Sequence, residues 1–329
     1  METVKPDKRL SIAEVLATVH YADHVSLTDT DVTLAIRPLG SADTEVWRSR
    51  LPVTRGSRGA VAFAHDEHVL AGAIASIDPD VERAARGAYD EIVRVMRAEG
   101  FPFFLRIWNH VRDLNAQCHS AHLDPDAESQ DRQPGGDHER YKCFSAGRHD
   151  ALVAAGLTKS DFSAASAVGM RDGNLSIHFL ASRERGRNVE NPRQVSAYDY
   201  PRQYGSRSPS FARATIARDG SVFVSGTSSV RGHETLHAGD VEAQVEETIA
   251  NLDRIAVECG RSLREAQALK LYVRHAASAA RIVERFREAA PAASLLVLES
   301  DICRAGLLLE AEAIILSDES SIVHEVRSP

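Results

Sequence analysis

Residues 221–260 read SVFVSGTSSVRGHETLHAGDVEAQVEETIANLDRIAVECG, an extended pattern, a glycine-bracketed loop and one long amphipathic run. In that run Val241, Val245, Ile249, Leu252 and Ile255 recur at helical spacing, and Gly260 stands where a C-cap belongs. Beyond it come a strand pattern ALKLYVRHA (268–276), a helical run SAARIVERFREAA (278–290) and two more strand patterns, AASLLVLE (292–299) and GLLLEAEAII (306–315). The same order occurs once before. AVAFAHDEHVLAGAIAS (60–76) is followed by DVERAARGAYDEIVRVMRAEG (80–100), with Val81, Ala84, Ala88, Ile92 and Val95 at helical spacing and Gly100 at its end. Then come PFFLRIWNHV (102–111), ERYKCFSAGRHDALVAAG (139–156), AASAVGM (164–170) and LSIHFLAS (175–182), and even the AAS tripeptide recurs, at 164–166 and 292–294. Strands alternating with helices in repeats this long predict α+β units with helices on one sheet face, not a solenoid. Each sheet is left with an open face, which another copy must cover. We divide the chain at 1–189 and 190–329, one unit in each part; residues 1–58 give no reading.

With 329 residues, 43% of them hydrophobic, each part has enough apolar material for a core. The 39 basic and 47 acidic side chains leave a net charge of −8, which offers no global attraction for nucleic acid or an anionic membrane. Any anion site must be local. The opening METVKPDKRLSIAEV lacks an apolar h-region and no stretch approaches the ~20 apolar residues of a bilayer span, so the cytoplasm is the expected compartment. Cys118, Cys143, Cys259 and Cys303 form no C-x-x-C pair, and all four are expected to be reduced.

Several motifs have bland readings. His233-Glu234-Thr235-Leu236-His237 matches H-E-x-x-H, which binds zinc only from a sustained helix; Gly226, Gly232 and Gly239 bracket it, so a loop is predicted and no metal. Phe101, Phe103, Phe104 and Trp108 fall in an apolar strand with little basic company and read as core, not as a base-stacking platform. Residues 117–137 are polar, acidic and glycine-ended, and read as a surface loop.

Between the two copies, residues 190–211 read ENPRQVSAYDYPRQYGSRSPSF. Arg193, Arg202 and Arg207 offer forked donors for carboxylates, Tyr198, Tyr200 and Tyr204 are rigid surfaces with hydroxyl tips, and Pro192, Pro201 and Pro209 stiffen the segment. Together with Glu139-Arg140-Tyr141-Lys142 and Asp301-Ile302-Cys303-Arg304, it closely resembles the chorismatases, enzymes that cleave chorismate; that likeness covers most of the chain after about residue 101. The last 110 or so residues also resemble the RidA/YjgF-like imine deaminases, through VSGTSSV, GDVEAQVEETIANLDRI and the final L-x-E-A-E-A-I-like strand. Those proteins are similar in fold to the trimeric chorismate mutases, so the resemblance implies two tandem RidA/chorismate-mutase-like units with an active site in a cleft between units. A two-copy chain leaves a three-unit ring incomplete, so a monomer with altered packing and a homotrimer are both open.

Cleaving the enolpyruvyl ether of chorismate begins with protonation of its methylene carbon, a poor base, and so needs a carboxylic acid kept protonated near neutral pH. Glu310 is the candidate. In Leu308-Leu309-Glu310-Ala311-Glu312-Ala313-Ile314, period two puts Glu310 and Glu312 on one face of an apolar strand, where desolvation and the neighbouring like charge both raise a carboxyl pKa. The competing reading is that both glutamates pair with arginines at a subunit contact. Lining up LSIHF with LEAEA sets Ser176 against Glu310 and His178 against Glu312, so only the second copy carries the acid. In both resembling families the first glutamate of this strand is the acid/base, which implies that role for Glu310 and a supporting one for Glu312. The deaminases carry P-A-R-S before the preceding strand, with the arginine on the substrate carboxylate; here the stretch is Pro291-Ala292-Ala293-Ser294, which opposes imine deamination. Carboxylate binding then falls to Arg148, Arg207, Arg213 and Arg304, with Tyr204 or Gln203 on the ring hydroxyls.

The resemblance also implies how the product is chosen. Cys303 resembles the hydroxybenzoate-forming branch and Ala214 the branch that adds water, which together suggest a member giving 3-hydroxybenzoate and 4-hydroxybenzoate, with pyruvate released and no cofactor required. A dihydroxycyclohexadiene carboxylate, RidA-like imine deamination and a non-enzymatic metabolite-binding module are the alternatives. Hydroxybenzoates would feed quinone or pigment synthesis.

Overall fold

The computed structural model describes residues 14–118 and 139–329. In chain order its strands and helices are β1 (Glu14–Tyr21), β2 (Ser26–Thr28), β3 (Asp31–Leu34), β4 (Arg37–Pro38), β5 (Thr44–Ser49), β6 (Thr54–Arg58), β7 (Val61–His65), β8 (Val69–Ser76), α1 (Val81–Glu99), β9 (Phe103–Arg112), α2 (Arg140–Ala154), β10 (Ala164–Met170) and β11 (Leu175–Ser182). They continue as β12 (Arg187–Val189), β13 (Ala214–Ile216), β14 (Val222–Thr227), β15 (Val230–Arg231), β16 (Glu234–Thr235), α3 (Val241–Glu258), β17 (Ala268–Val273), α4 (Ala279–Ala289), β18 (Ser294–Glu299), β19 (Leu309–Ile315) and β20 (Ile322–Arg327).

The two sequence copies fold as two copies of one sheet. The first runs β10-β9-β11-β8-β7-β6, and the second repeats that order as β18-β17-β19-β14-β13-β12 with β4 added beyond β18. In each, one parallel pair, β9 with β10 and β17 with β18, is joined through a crossover helix, α2 or α4. The apolar stripes predicted for the long helices face their sheets: Ala84, Ala88 and Ile92 of α1 and Val245, Leu252 and Ile255 of α3 lie in separate cores on the outer faces. Asp80 accepts from the amides of Glu82 and Arg83 to start α1, and Gly100, at φ 80°, ends it. Gly147 lets α2 cross α1 closely, since a Cβ there would lie 2.1 Å from the carbonyl oxygen of Glu82.

The open face of each sheet covers the other, as the repeat requires, but a third element joins them. Residues 14–49, which sequence reading left blank, supply β1, β2, β3 and β5, and with β20 from residues 322–327 they build a five-stranded sheet in the order β2-β3-β1-β5-β20. The three inner faces meet around Trp47, Trp108, Phe223, Ile314 and Ile322. Of the aromatic run, Phe101, Phe104 and Trp108 are buried as expected of core, while Phe103, the first residue of β9, is half-buried under Arg185. His233–His237 lies in and beside the β15–β16 ribbon between β14 and α3, not on a helix. Among the described residues no helix is long and apolar enough to cross a membrane.

One expectation fails. Cys118 and Cys143 are joined as a disulfide, leaving Cys259 and Cys303 free. Sequence spacing hid the pair because it depends on how α2 begins: the amides of Arg140 and Tyr141 donate to the carbonyls of Ala116 and Leu114, which brings the first turn of α2 against the exit of β9. The predicted 117–137 loop lies outside the described residues beyond Cys118.

Candidate active site

Glu310 sits on the inner face of β19, opposite Tyr272 of β17, with Glu312 opposite Lys270. The two carboxylates have different surroundings. Glu312 is held by the Arg106 guanidinium at 2.9 Å and by the Trp108 indole N–H at 2.8 Å, with the Lys270 ammonium at 3.9 Å. Glu310 is 4% exposed, and its Oε1 has no hydrogen-bond partner among the described residues. Glu312 is thus paired with an arginine, though within the chain and not at a subunit contact, and Glu310 is paired with none among the described residues. Burial, reinforced by the charge on Glu312, pushes the Glu310 carboxyl up to about 8, against the weaker pull of Arg106 and Arg213. It is a carboxylic acid at neutral pH.

Room for that acid comes from Gly226 of β14. A Cβ there would lie 1.9 Å from Glu310 Oε1, while the Gly226 amide donates to Ser166 Oγ at 3.0 Å. Ser166 also accepts from Arg106, so the floor is fixed from both sheets. Sequence reading missed Gly226 and Ser166, although a glycine inside the VFVSGT strand is the usual mark of a close approach.

Above this floor opens a cavity of about 300 Å³, within the range of small-molecule sites. One wall is α2, where Tyr141, Lys142, Ser145 and Arg148 face inward, and the facing wall is the segment 194–213. The Lys142 ammonium donates to the carbonyl of Gln203 at 3.1 Å and ties the two walls together. Tyr141 and Lys142 belong to a motif already noted in the sequence, yet neither was expected in the site.

Of the predicted residues, Glu310, Cys303, Arg148, Gln203, Tyr204, Arg213 and Arg304 line this cavity. Arg148 donates to the carbonyl of Ser210 at 2.8 Å, and Arg213 donates to the hydroxyl of Tyr200 at 2.7 Å. Arg304 donates to the carbonyl of His233 at 2.8 Å and stacks 4.1 Å over the Tyr204 ring. None of the three is ion-paired with a carboxylate among the described residues, so three cationic forks face one cavity, a set suited to an anion with two carboxylates. Cys303 and Arg304 are positioned by Arg274, which donates to the carbonyls of Ile302, Arg304 and Leu307 and pairs with Asp301 at 2.5 Å. Burial and the nearby Glu310 push the Cys303 thiol up to about 12, so it stays protonated.

Two predicted residues lie elsewhere. Arg207 points outward and pairs with Asp150 at 3.0 Å. Ala214 opens β13 and alternates with Arg213, so the arginine turns to the cavity while Ala214 is sealed in the helix-side core. The other arginines of the 190–211 segment are also off the site: Arg193 pairs with Glu247 at 2.6 Å, and Arg202 is exposed. His233 serves the cavity from behind, meeting the Tyr204 hydroxyl through its ring at 3.2 Å.

Comparisons with known proteins fit this geometry. Residues 45–181 match the family model described as chorismatase FkbO/Hyg5-like, N-terminal. The chain is 33% identical over 301 residues to a 3-hydroxybenzoate synthase of Streptomyces hygroscopicus, covering 85% of this chain and 84% of that one. It is 34% identical over 293 residues to a chorismatase of Streptomyces rapamycinicus, covering 82% and 81%. A crystal structure of a chorismatase superimposes on it with a TM-score of 0.82 and 28% identity over 96% of both chains. An enzyme by this kinship, the chain belongs to the chorismatase family.

Proposed function

We propose that the protein cleaves the enolpyruvyl ether of chorismate, releasing pyruvate and forming 3-hydroxybenzoate and 4-hydroxybenzoate. One observation carries this reading: a buried carboxylic acid without a partner among the described residues, Glu310, forms the floor of a cavity rimmed by Arg148, Arg213 and Arg304. Glu310 gives its proton to the methylene carbon, creating an oxocarbenium-like centre that the desolvated carboxylate and Glu312 both stabilise. The ring C3–oxygen bond then breaks, and the ether oxygen leaves in pyruvate. Loss of the C4 proton with the hydroxyl left in place gives 4-hydroxybenzoate; attack of the C4 hydroxyl oxygen on C3 as pyruvate leaves forms an epoxide, and breaking its C4–oxygen bond with loss of the C3 proton gives 3-hydroxybenzoate. Either way one proton returns to the acid, and chorismate is divided into pyruvate and hydroxybenzoate with no water, oxidant or reductant consumed. The arginines hold the two carboxylates and fix the approach of the acid.

Aromatisation over water addition is supported by Cys303, which lines the cavity beside the acid, while Ala214 lies in the helix-side core and carries no argument for water addition. In this reading the 190–329 part supplies the acid, while α2 of the 1–189 part supplies half the wall. The third sheet fills the side that a further unit would take in a ring, which supports action as a monomer.

The test is incubation of the purified protein with chorismate, with pyruvate and aromatic products quantified by chromatography. Pyruvate equal to the sum of 3- and 4-hydroxybenzoate is expected. A dihydroxycyclohexadiene carboxylate would move the protein to the water-adding branch, and no pyruvate above the spontaneous background would refute the reading.

A further inference from the structure

The interior enclosed by the three sheets holds a chain of charges that the cavity does not touch. From the third sheet, Glu45 of β5 is 1% exposed and accepts from the Tyr21 hydroxyl of β1; the His324 ring of β20 meets it at 2.9 Å and the Lys270 ammonium of β17 at 2.6 Å. Lys270 is shared. It stands 3.9 Å from Glu312, directly across the strand pair, and Glu312 in turn is paired with Arg106 of β9. Burial pushes the Glu45 carboxyl up, but Lys270 and His324 outweigh it and hold Glu45 far below the usual carboxylate range. His110 of β9 and His178 of β11 stack with ring centroids 5.3 Å apart in the same interior; burial lowers His110 to about 3 and holds His178 well below the usual imidazole range, so both are neutral.

The interior thus carries two carboxylates, Glu45 and Glu312, and two cations, Lys270 and Arg106. A third carboxylate would be unmatched, which is the condition under which a buried acid keeps its proton. The groups facing Glu310 are Glu312 on its own strand, Tyr272 from β17, Arg106 from β9, Arg213 before β13, Tyr141 from α2 and Cys303 from the preceding loop. Of these charges, only that of Glu312 depends on which partner Lys270 chooses.

We propose that Glu45 and Lys270 are positioning residues for catalysis: Glu45 draws the shared ammonium toward the third sheet, leaving the charge of Glu312 directed at Glu310, whose proton is thereby retained. Neither residue touches the cavity. The inference rests on Glu310 being the acid, and it gives the third sheet a part in the chemistry as well as in the packing.

The experiment follows the Glu310 carboxyl directly, by 13C NMR titration of protein labelled at glutamate carboxyls, with its signal identified by its loss in E310Q. The kcat/KM profile for chorismate is measured alongside. In E45Q the ammonium is free to close on Glu312, and in K270R a forked guanidinium reaches both carboxylates. Each variant should move the Glu310 titration, and the alkaline limb of the profile, down by about 1 pH unit. A structural role alone would alter rate or stability and leave the titration in place, so a titration unmoved in either folded variant overturns the proposal. K270R keeps the interior charge and carries the test if E45Q does not fold. Absence of turnover in the unmodified protein would instead refute the proposed function, since the NMR titration is read without it.

Discussion

Removing the acid should stabilise the protein, by an amount that depends on pH. In the unfolded chain the Glu310 carboxyl titrates near 4.5, and in the folded protein burial and Glu312 raise it to about 8. Between those values the native state holds a proton that the unfolded state has released. Stability therefore falls as pH rises across this window: the contribution is intact below the unfolded value and fully lost above the folded one. At about 1.4 kcal/mol per unit, the cost at pH 7 is ~3 kcal/mol and at pH 8 and above approaches ~5 kcal/mol. E310Q keeps the shape of the protonated acid and removes the ionisation. For a chain of this length, ~3 kcal/mol corresponds to a rise of about 4 °C in Tm. The assay is thermal unfolding of both proteins by circular dichroism from pH 5 to pH 9. E310Q should match the unmodified protein to within a degree near pH 5, gain steadily to pH 8 and then level off, while chorismate turnover is lost throughout. A Tm difference that stays constant from pH 5 to pH 8 would show that Glu310 is not protonated by its surroundings, and would refute the reasoning however inactive the variant proved.

Other predictions concern the walls and the floor. G226A puts a methyl within 1.9 Å of Glu310 Oε1 and should cut turnover at least ~100-fold in a folded protein, measured as pyruvate release. R148Q, R213Q and R304Q should each weaken chorismate use by ~10-fold or more in kcat/KM, whereas R207Q, which breaks only an exposed pair with Asp150, should leave it within twofold. Serine at Cys118 should lower stability by ~2–4 kcal/mol in denaturant titration, and dithiothreitol should do the same to the unmodified protein but not to the variant.

How much of this was legible in the sequence depends on the range of the interactions involved. The two units were readable because each is specified locally, by stripes such as Val241, Val245 and Leu252 and by glycines at helix ends. The third sheet was not, because β5 finds β20 nearly 280 residues away, and neither strand carries a pattern that names its partner. At the site, Glu310 stood out as a charge on an apolar strand, and the repeat alignment separated it from Ser176. Arg148 and Arg207 could not be distinguished from their immediate surroundings. One lies on a helix face that the packing of α2 against α1 aims inward, and the other on an irregular segment where spacing implies no direction. Ala214 failed for the opposite reason: its alternation with Arg213 did imply a direction, but the short strand that enforces it was not recognised.

The pairing of β5 with β20 also bears on how the protein is made. Residues 44–49 are translated about 280 residues before the strand that completes their sheet. Until then the β2-β3-β1-β5 sheet lacks its edge strand, and Glu45 is synthesised long before Lys270 and His324 can meet it. Before β20 is made the core around Trp47 lacks Ile322 and Glu45 lacks the His324 ring, a state that favours chaperone binding over premature collapse. The buried Glu45 cluster is therefore complete only once residues 322–327 have been translated.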